Sequence, residues 1–198
     1  MRYACRQIVM ALISHLIIAG CWLVFCIYWL VSALTVKAVA ERKTFGSSQA
    51  YRIPVILGSV LLWDPDLNVP LGFALTPHTG LMKLAGAVVC VAGLFISIWA
   101  RWTLAGNWSS TVTFKKDHEL VRTGPYRFVR HPIYTGMLLM CVAVALEYGR
   151  LRCWIGVIVL GIGFWIKLRQ EESLMLQHFP DEYPVYRRQV KALVPFVI

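Results

Sequence analysis

The polar residues able to do chemistry fall in two blocks of this 198-residue chain, 101–134 and 167–196. The first holds His118, Glu119, Tyr126, Arg130, His131 and Tyr134, punctuated by a Gly124-Pro125 turn signal and by Pro132. Pro132 suits the first turn of a helix with His131 just before it. The second block holds Lys167, Arg169, Glu171 and Glu172, then Tyr183 and Tyr186. Lys167 and Glu171 stand four apart and share a helix face. Each block has an ordinary explanation. Arg127 and Arg130 would serve as lipid anchors, Tyr126 and Tyr134 as interfacial aromatics, and Lys167–Glu171 as a solvated ion pair. That explanation does not account for His118, Tyr126, His131 and Tyr134 crowding one short loop. His178, just before Phe179, reads as structural. No Cys/His cluster has zinc-ligand spacing, so no metal site is expected.

The elements that must position these residues are apolar. Hydrophobic residues make up 58% of the chain and charged residues only 15%, where soluble domains carry about 25% charged. A soluble globular domain and a disordered chain are excluded. The net charge of +10 fits cationic flanks around membrane helices better than a nucleic-acid-binding module. The six cysteines form no C-x-x-C pair, and all but Cys5 lie in or beside apolar runs, as buried thiols do. Apolar runs at 8–36 and 84–100 are long enough to span hydrocarbon, which takes about 17–25 residues. The first is too long for a signal-peptide core of about 7–15 residues. The run 53–63 is short and meets Asp64, Pro65 and Asp66, with only weak continuation through 69–75. Runs 133–146 and 153–166, joined by a polar turn, read as a helical hairpin, each extended by about a turn or set in a thinned bilayer. The expectation is an all-α integral membrane protein of about five transmembrane helices with a C-terminal hairpin. It forms one domain, 1–198, with N-terminal helices over 1–100 and the chemistry in 101–198.

Charge sets the orientation. Segments 37–52, 101–132 and 167–198 together carry fifteen Lys/Arg, and the alternating segments carry five. The positive-inside rule places the first three in the cytoplasm and the N-terminus outside. An odd number of crossings is required, and five satisfies it. A site built from the two polar blocks then faces the cytosol at the membrane surface.

The run G-P-Y-x-x-x-R-H-P-x-Y-x-G from Gly124 to Gly136, followed by Glu171-Glu172, Phe179, Tyr183 and Tyr186, resembles the isoprenylcysteine carboxyl methyltransferase family. More broadly it is similar to the membrane methyltransferases that include phospholipid N-methyltransferases. The resemblance covers roughly 105–196. It implies S-adenosylmethionine as methyl donor, held by cytoplasmic loops rather than by a Rossmann domain; no G-x-G-x-x-G follows a strand here. It implies that His118, Glu119, Leu120 and Val121 lie along the cofactor and that Tyr126 packs beside it. His131, Pro132, Ile133 and Tyr134 would close another side, and Glu171, with Glu172, would supply the acidic contact. A carboxylate accepts charge-assisted bonds from the donor's ammonium or hydroxyls, and tyrosine faces suit a sulfonium.

A carboxylate acceptor is already ionised at neutral pH and needs no general base. It needs alignment and a cation to hold it. The family commonly has arginine four residues before the first glutamate; here Lys167 stands there, with Arg169 two residues on. Lysine keeps the charge and loses the bidentate fork. Lys167 and Arg169 are therefore the candidates for holding the acceptor. The resemblance implies a lipophilic, prenylated acceptor. A phospholipid or small-lipid amine acceptor remains the alternative, as does a non-catalytic membrane protein on the same frame. The partners expected are that acceptor and membrane lipid, with no nucleic acid.

Overall fold

The computed structural model describes residues 2–34, 39–42, 45–64, 67, 73–77, 79–105, 108, 113–115 and 120–197. Helix α1 is Arg2–Ala33, α2 Phe45–Trp63, α3 Gly80–Leu104, α4 Pro132–Tyr148, α5 Leu151–His178 and α6 Glu182–Gln189; a 3-10 turn occupies Gly124–Arg127. The class is helical, with one addition the sequence did not suggest. Strands β1 (Val39–Arg42) and β2 (Thr113–Lys115) form a two-stranded antiparallel ladder that joins two loops.

Among the described residues, three helices are long and apolar enough to cross a membrane: Arg6–Ala33, Gly80–Leu104 and Leu151–His178. Ala50–Trp63 and Pro132–Tyr148 are shorter apolar helices. The second apolar helix gains its length at its start rather than its end. It begins at Phe45 and stops at Trp63, where Asp64 and Pro65 follow, and Phe73–Leu75 do not continue it. Pro54 sits inside this helix; the backbone bond it forfeits is tolerated because neighbouring helices pack closely there. The Gly163 position on α5 lies against Val55 and the Tyr51 carbonyl.

Helices α4 and α5 form the expected hairpin. Gly149 at φ 65° ends α4 as a left-handed cap, its N–H donating to the Ala145 carbonyl, a conformation glycine adopts without strain. The hairpin is splayed, however. Helix α4 packs chiefly on α3 and α5 chiefly on α2, while α4 and α5 touch each other far less. The close pairs are cut by glycines. A Cβ on Gly136 would stand 2.5 Å from the Gly93 carbonyl oxygen, and one on Gly156 would stand 2.9 Å from the Gly58 carbonyl oxygen. Small residues let helix backbones approach where no hydrophobic force between helices operates. The open mouth of this V, away from the Gly149 turn, leaves room for a site.

The thiols are mostly inside, as expected: Cys21, Cys90, Cys141 and Cys153 are buried. Cys26 instead faces outward from α1.

Candidate active site

Helix α4 opens at Pro132, whose missing N–H costs nothing at the first turn. This sets His131 at the N-cap, where its side chain makes no cap bond. The ring turns instead toward α5, its Nδ1 3.8 Å from Glu171 Oε2 and its Nε2 3.3 Å from Glu172 Oε1. Three residues into α4's start, the Tyr134 hydroxyl donates to Glu171 Oε1 at 2.7 Å. Lys167 Nζ lies 3.9 Å from the same oxygen and 5.5 Å from the centres of both the Tyr51 and Tyr134 rings. Glu171 thus receives a hydroxyl and faces an ammonium and an imidazole. These groups line a cavity of about 440 Å³, within the usual range for small-molecule sites of about 300–1,000 Å³.

The cavity has two kinds of wall. Lys167, Glu171, His131, Tyr126, Tyr183 and Tyr186 make the polar side. Trp29, Val55, Leu104, Trp108, Met137 and Phe164 make the apolar side. Residues far apart in sequence meet there because α1, α2, α3, α4 and α5 all deliver a side chain. Burial pushes the Tyr126, Tyr183 and Tyr186 hydroxyls well above their ordinary pKa, so they stay neutral. The Tyr186 hydroxyl donates to the Tyr126 carbonyl at 2.6 Å, which fixes α6 against the 3-10 turn.

A charged layer adjoins this wall, with Arg130 reaching the cavity lining. Glu172 is 2% exposed, and Arg130 donates to its Oε1 from Nε at 2.9 Å and from the terminal nitrogen at 2.6 Å. Arg187 Nε is 3.5 Å from Glu172 Oε2. Arg130 also donates to the carbonyls of Arg187, at 3.2 Å, and Val190. Its side chain is therefore inside the protein, not among lipid headgroups as the loop composition suggests. Glu172 steadies His131 and Arg130 without lining the cavity.

A second buried cation closes the apolar end. Arg101 is 2% exposed, and it donates to the carbonyls of Ser32 and Ala105 at 2.6 Å each. Its guanidinium lies 4.8 Å from the Trp108 ring centre. Trp108 meets Trp29 edge-on at 6.1 Å. Arg101 therefore ties the end of α1 to the end of α3 and backs an aromatic wall of the cavity. The sequence counted it only as a loop charge.

Of the residues expected at the site, Leu120, Val121, Tyr126, His131, Ile133, Tyr134, Lys167 and Glu171 line the cavity. Pro132 is buried and starts α4 without lining it. Arg169 is exposed on α5 and lies off the cavity lining, because α5 turns it about 200° from Lys167 at 3.6 residues per turn. His118 and Glu119 lie outside the described residues. Not foreseen were Tyr51, Trp29, Trp108, Met137, Phe164 and Met175. In sequence they are apolar or aromatic residues of helices or, for Trp108, of the loop after α3, and no local spacing separates them from core.

The arrangement defines a class: a helical membrane protein with a half-polar, half-apolar cavity at one end of its bundle. Residues 81–182 match the profile of the family described as phospholipid methyltransferase, and the chain belongs to that family. It is 29% identical over 158 residues to the protein-S-isoprenylcysteine O-methyltransferase of Saccharomyces cerevisiae, covering 78% of this chain and 64% of that one. It is 31% identical to the enzyme of the same name from Tribolium castaneum, covering 57% of this chain and 41% of that one. The solved structure of a eukaryotic intramembrane Ras methyltransferase, ICMT (isoprenylcysteine carboxyl methyltransferase), superposes with a TM-score of 0.55 at 24% identity. That match covers 76% of this chain and 53% of the other, and it shows a shared fold. The chain thus spans less than two thirds of the length of these relatives.

Proposed function

We propose that the chain transfers a methyl group from S-adenosylmethionine to the carboxylate of a lipophilic, isoprenylcysteine-like acceptor at the cytoplasmic face of a membrane. The observation that carries this reading is the convergence of Lys167, Glu171 and Tyr134 on a cavity whose other wall is apolar. The residues fit the donor. Glu171 offers a carboxylate to its ammonium or hydroxyls; Tyr126, Tyr134 and Tyr183 offer ring faces to a cation; and Leu120 and Val121 offer apolar contact. When bound, the donor supplies an electrophilic methyl on a sulfonium.

The chain's own work is alignment. Lys167 holds an anionic acceptor by charge, and no group need remove a proton from a carboxylate. The apolar wall from Trp29 to Phe164 accepts a lipid chain and excludes water. Arg169 contributes nothing direct from its exposed position. Names of relatives support the carboxylate acceptor, and Lys167, a cation set at the cavity, favours it over an amine.

Calorimetric binding of S-adenosylhomocysteine to the wild type and to Glu171→Ala in detergent tests the donor site. Saturable binding by the wild type, weakened at least about tenfold by loss of a charged contact, is the expected result. Absence of binding by folded wild type sinks the proposal. Labelled methyl transfer to a prenylcysteine then tests the acceptor. A base-labile product supports an ester, and a base-stable one supports an amine and a phospholipid-type reaction.

A further inference from the structure

The segment following α6 runs back along the start of α4. The Arg130 N–H donates to the Lys191 carbonyl at 2.8 Å, and the His131 N–H donates to the Ala192 carbonyl at 3.0 Å. The Thr135 hydroxyl donates to the Leu193 carbonyl at 2.7 Å. Ala192 and Leu193 pack with Tyr134, Phe164 and Leu168. The segment is therefore held at the level where apolar α4 begins, which is the depth of a bilayer interface.

Beyond Leu193 its side chains change character. Val194 is 46%, Phe196 93% and Val197 71% exposed. The Val129–Lys191 bridge brings in the neighbouring loop, where Phe128 is 52% exposed and Arg127 and Lys191 are exposed cations. Nothing in the fold asks for phenylalanine at 196. Residues Val194 to Val197 close a turn, with the Val197 N–H donating to the Val194 carbonyl at 3.1 Å. Pro195 occupies its second position and Phe196 its third, at φ 65°. A turn with Pro second and positive φ third favours Gly or Asn in that third place. A bulky side chain there is unfavourable for the backbone, yet this one points away from the protein.

We infer that residues 194–197, with Phe128, Arg127 and Lys191, form an interfacial anchor that inserts apolar side chains among anionic lipid headgroups and so holds the 190–193 strap against Arg130 and His131. Apolar side chains interleaved with cations are what an anionic interface binds. The anchor does not depend on the methyl-transfer reading. It does give the cavity a boundary set by lipid, since the strap contacts the two residues that brace Glu172.

The test is hydrogen–deuterium exchange of the 190–197 amides in the full chain reconstituted in nanodiscs. The discs contain phosphatidylcholine, alone or with one third phosphatidylglycerol as a probe of anionic headgroups. Wild type should exchange more slowly in the anionic discs. Phe196→Gly relieves the turn and should leave the helices as protected as before, yet it should speed exchange of 190–197 about tenfold, the scale of losing one buried aromatic contact. Phe196→Trp should retain protection. Equal exchange for wild type and Phe196→Gly in anionic discs, or equal exchange of wild type in both lipid mixtures, overturns the inference.

Discussion

Glu171 and Glu172 are neighbours in sequence and opposite in duty, because a helix sends adjacent side chains about 100° apart. Glu171 faces the cavity with Tyr134, Lys167 and His131, while Glu172 faces the buried Arg130. Lys167 carries the sharpest residue-scale prediction. An ammonium acts as a point charge, whereas a guanidinium offers a planar fork to a carboxylate. Lys167→Ala should lower methyl transfer about a hundredfold, the scale of removing one preorganised charge contact, with S-adenosylhomocysteine affinity nearly unchanged. Steady-state kinetics beside calorimetry checks this, and a parallel fall in affinity would reassign Lys167 to the donor. Lys167→Arg should keep activity. Arg169→Ala should leave it within twofold, given its exposed place on α5.

Helix pairing explains why the site is where it is. Because α4 leans on α3 and α5 on α2, the hairpin opens away from Gly149, and the cavity occupies the opening. The α3–α4 contact rests on Gly93 and Gly136, whose carbonyl and Cα faces meet. Gly136→Ala should push α4 from α3 and cost about 1–3 kcal/mol of stability, the range for overpacking. A thermal shift in detergent reads it, and an unchanged midpoint would mean the pair yields without strain. Much at this scale was legible beforehand. The α4 start at Pro132, the Gly149 turn and the Lys167–Glu171 face all follow from local chemistry. The splay of the hairpin, the early start of α2 and the partner of Arg130 were not legible. Each depends on which helix packs on which, and neither a period nor a cap encodes that. Arg130 looked like a lipid anchor because a cation beside an apolar run ordinarily is one; only Glu172, 42 residues on, makes it internal.

Across the whole molecule, hydrogen bonds between loops sort the ends of the bundle. At one end the Leu75 N–H donates to the Gly149 carbonyl at 2.7 Å, the Leu151 N–H donates to the Phe73 carbonyl at 3.1 Å, and the Gly80 N–H donates to Gln7. The start of α1 near Gln7, residues 73–76, Gly80 and the hairpin turn therefore share a face. At the other end the β1–β2 ladder joins the α1–α2 and α3–α4 connections, and Arg101 joins the ends of α1 and α3. The tight α4–α5 turn sets α4 beside α5, and α2, 19 residues long, packs on α5 as well. Among the described residues three helices meet the length of a full span, and α2 and α4 are shorter apolar helices; we propose that all five cross in alternation. On that proposal the fifteen basic residues of the three cavity-end segments, against five elsewhere, would set that end in the cytoplasm by the positive-inside rule. Two of the five are also turned inward, Arg152 donating to the Leu61 carbonyl at 2.9 Å and Lys83 lying 3.8 Å from Glu147, so they offer little to a headgroup layer. The expected outcome is specific. In sealed inside-out vesicles a membrane-impermeant maleimide should leave Leu75→Cys and Arg150→Cys unlabelled, while protease should remove a tag placed after residue 198. Right-side-out vesicles should give the reverse. Labelling of Leu75→Cys from the same side as the tag would overturn the alternation for α2 and α5 together, because Leu75 is bonded to the Gly149 turn.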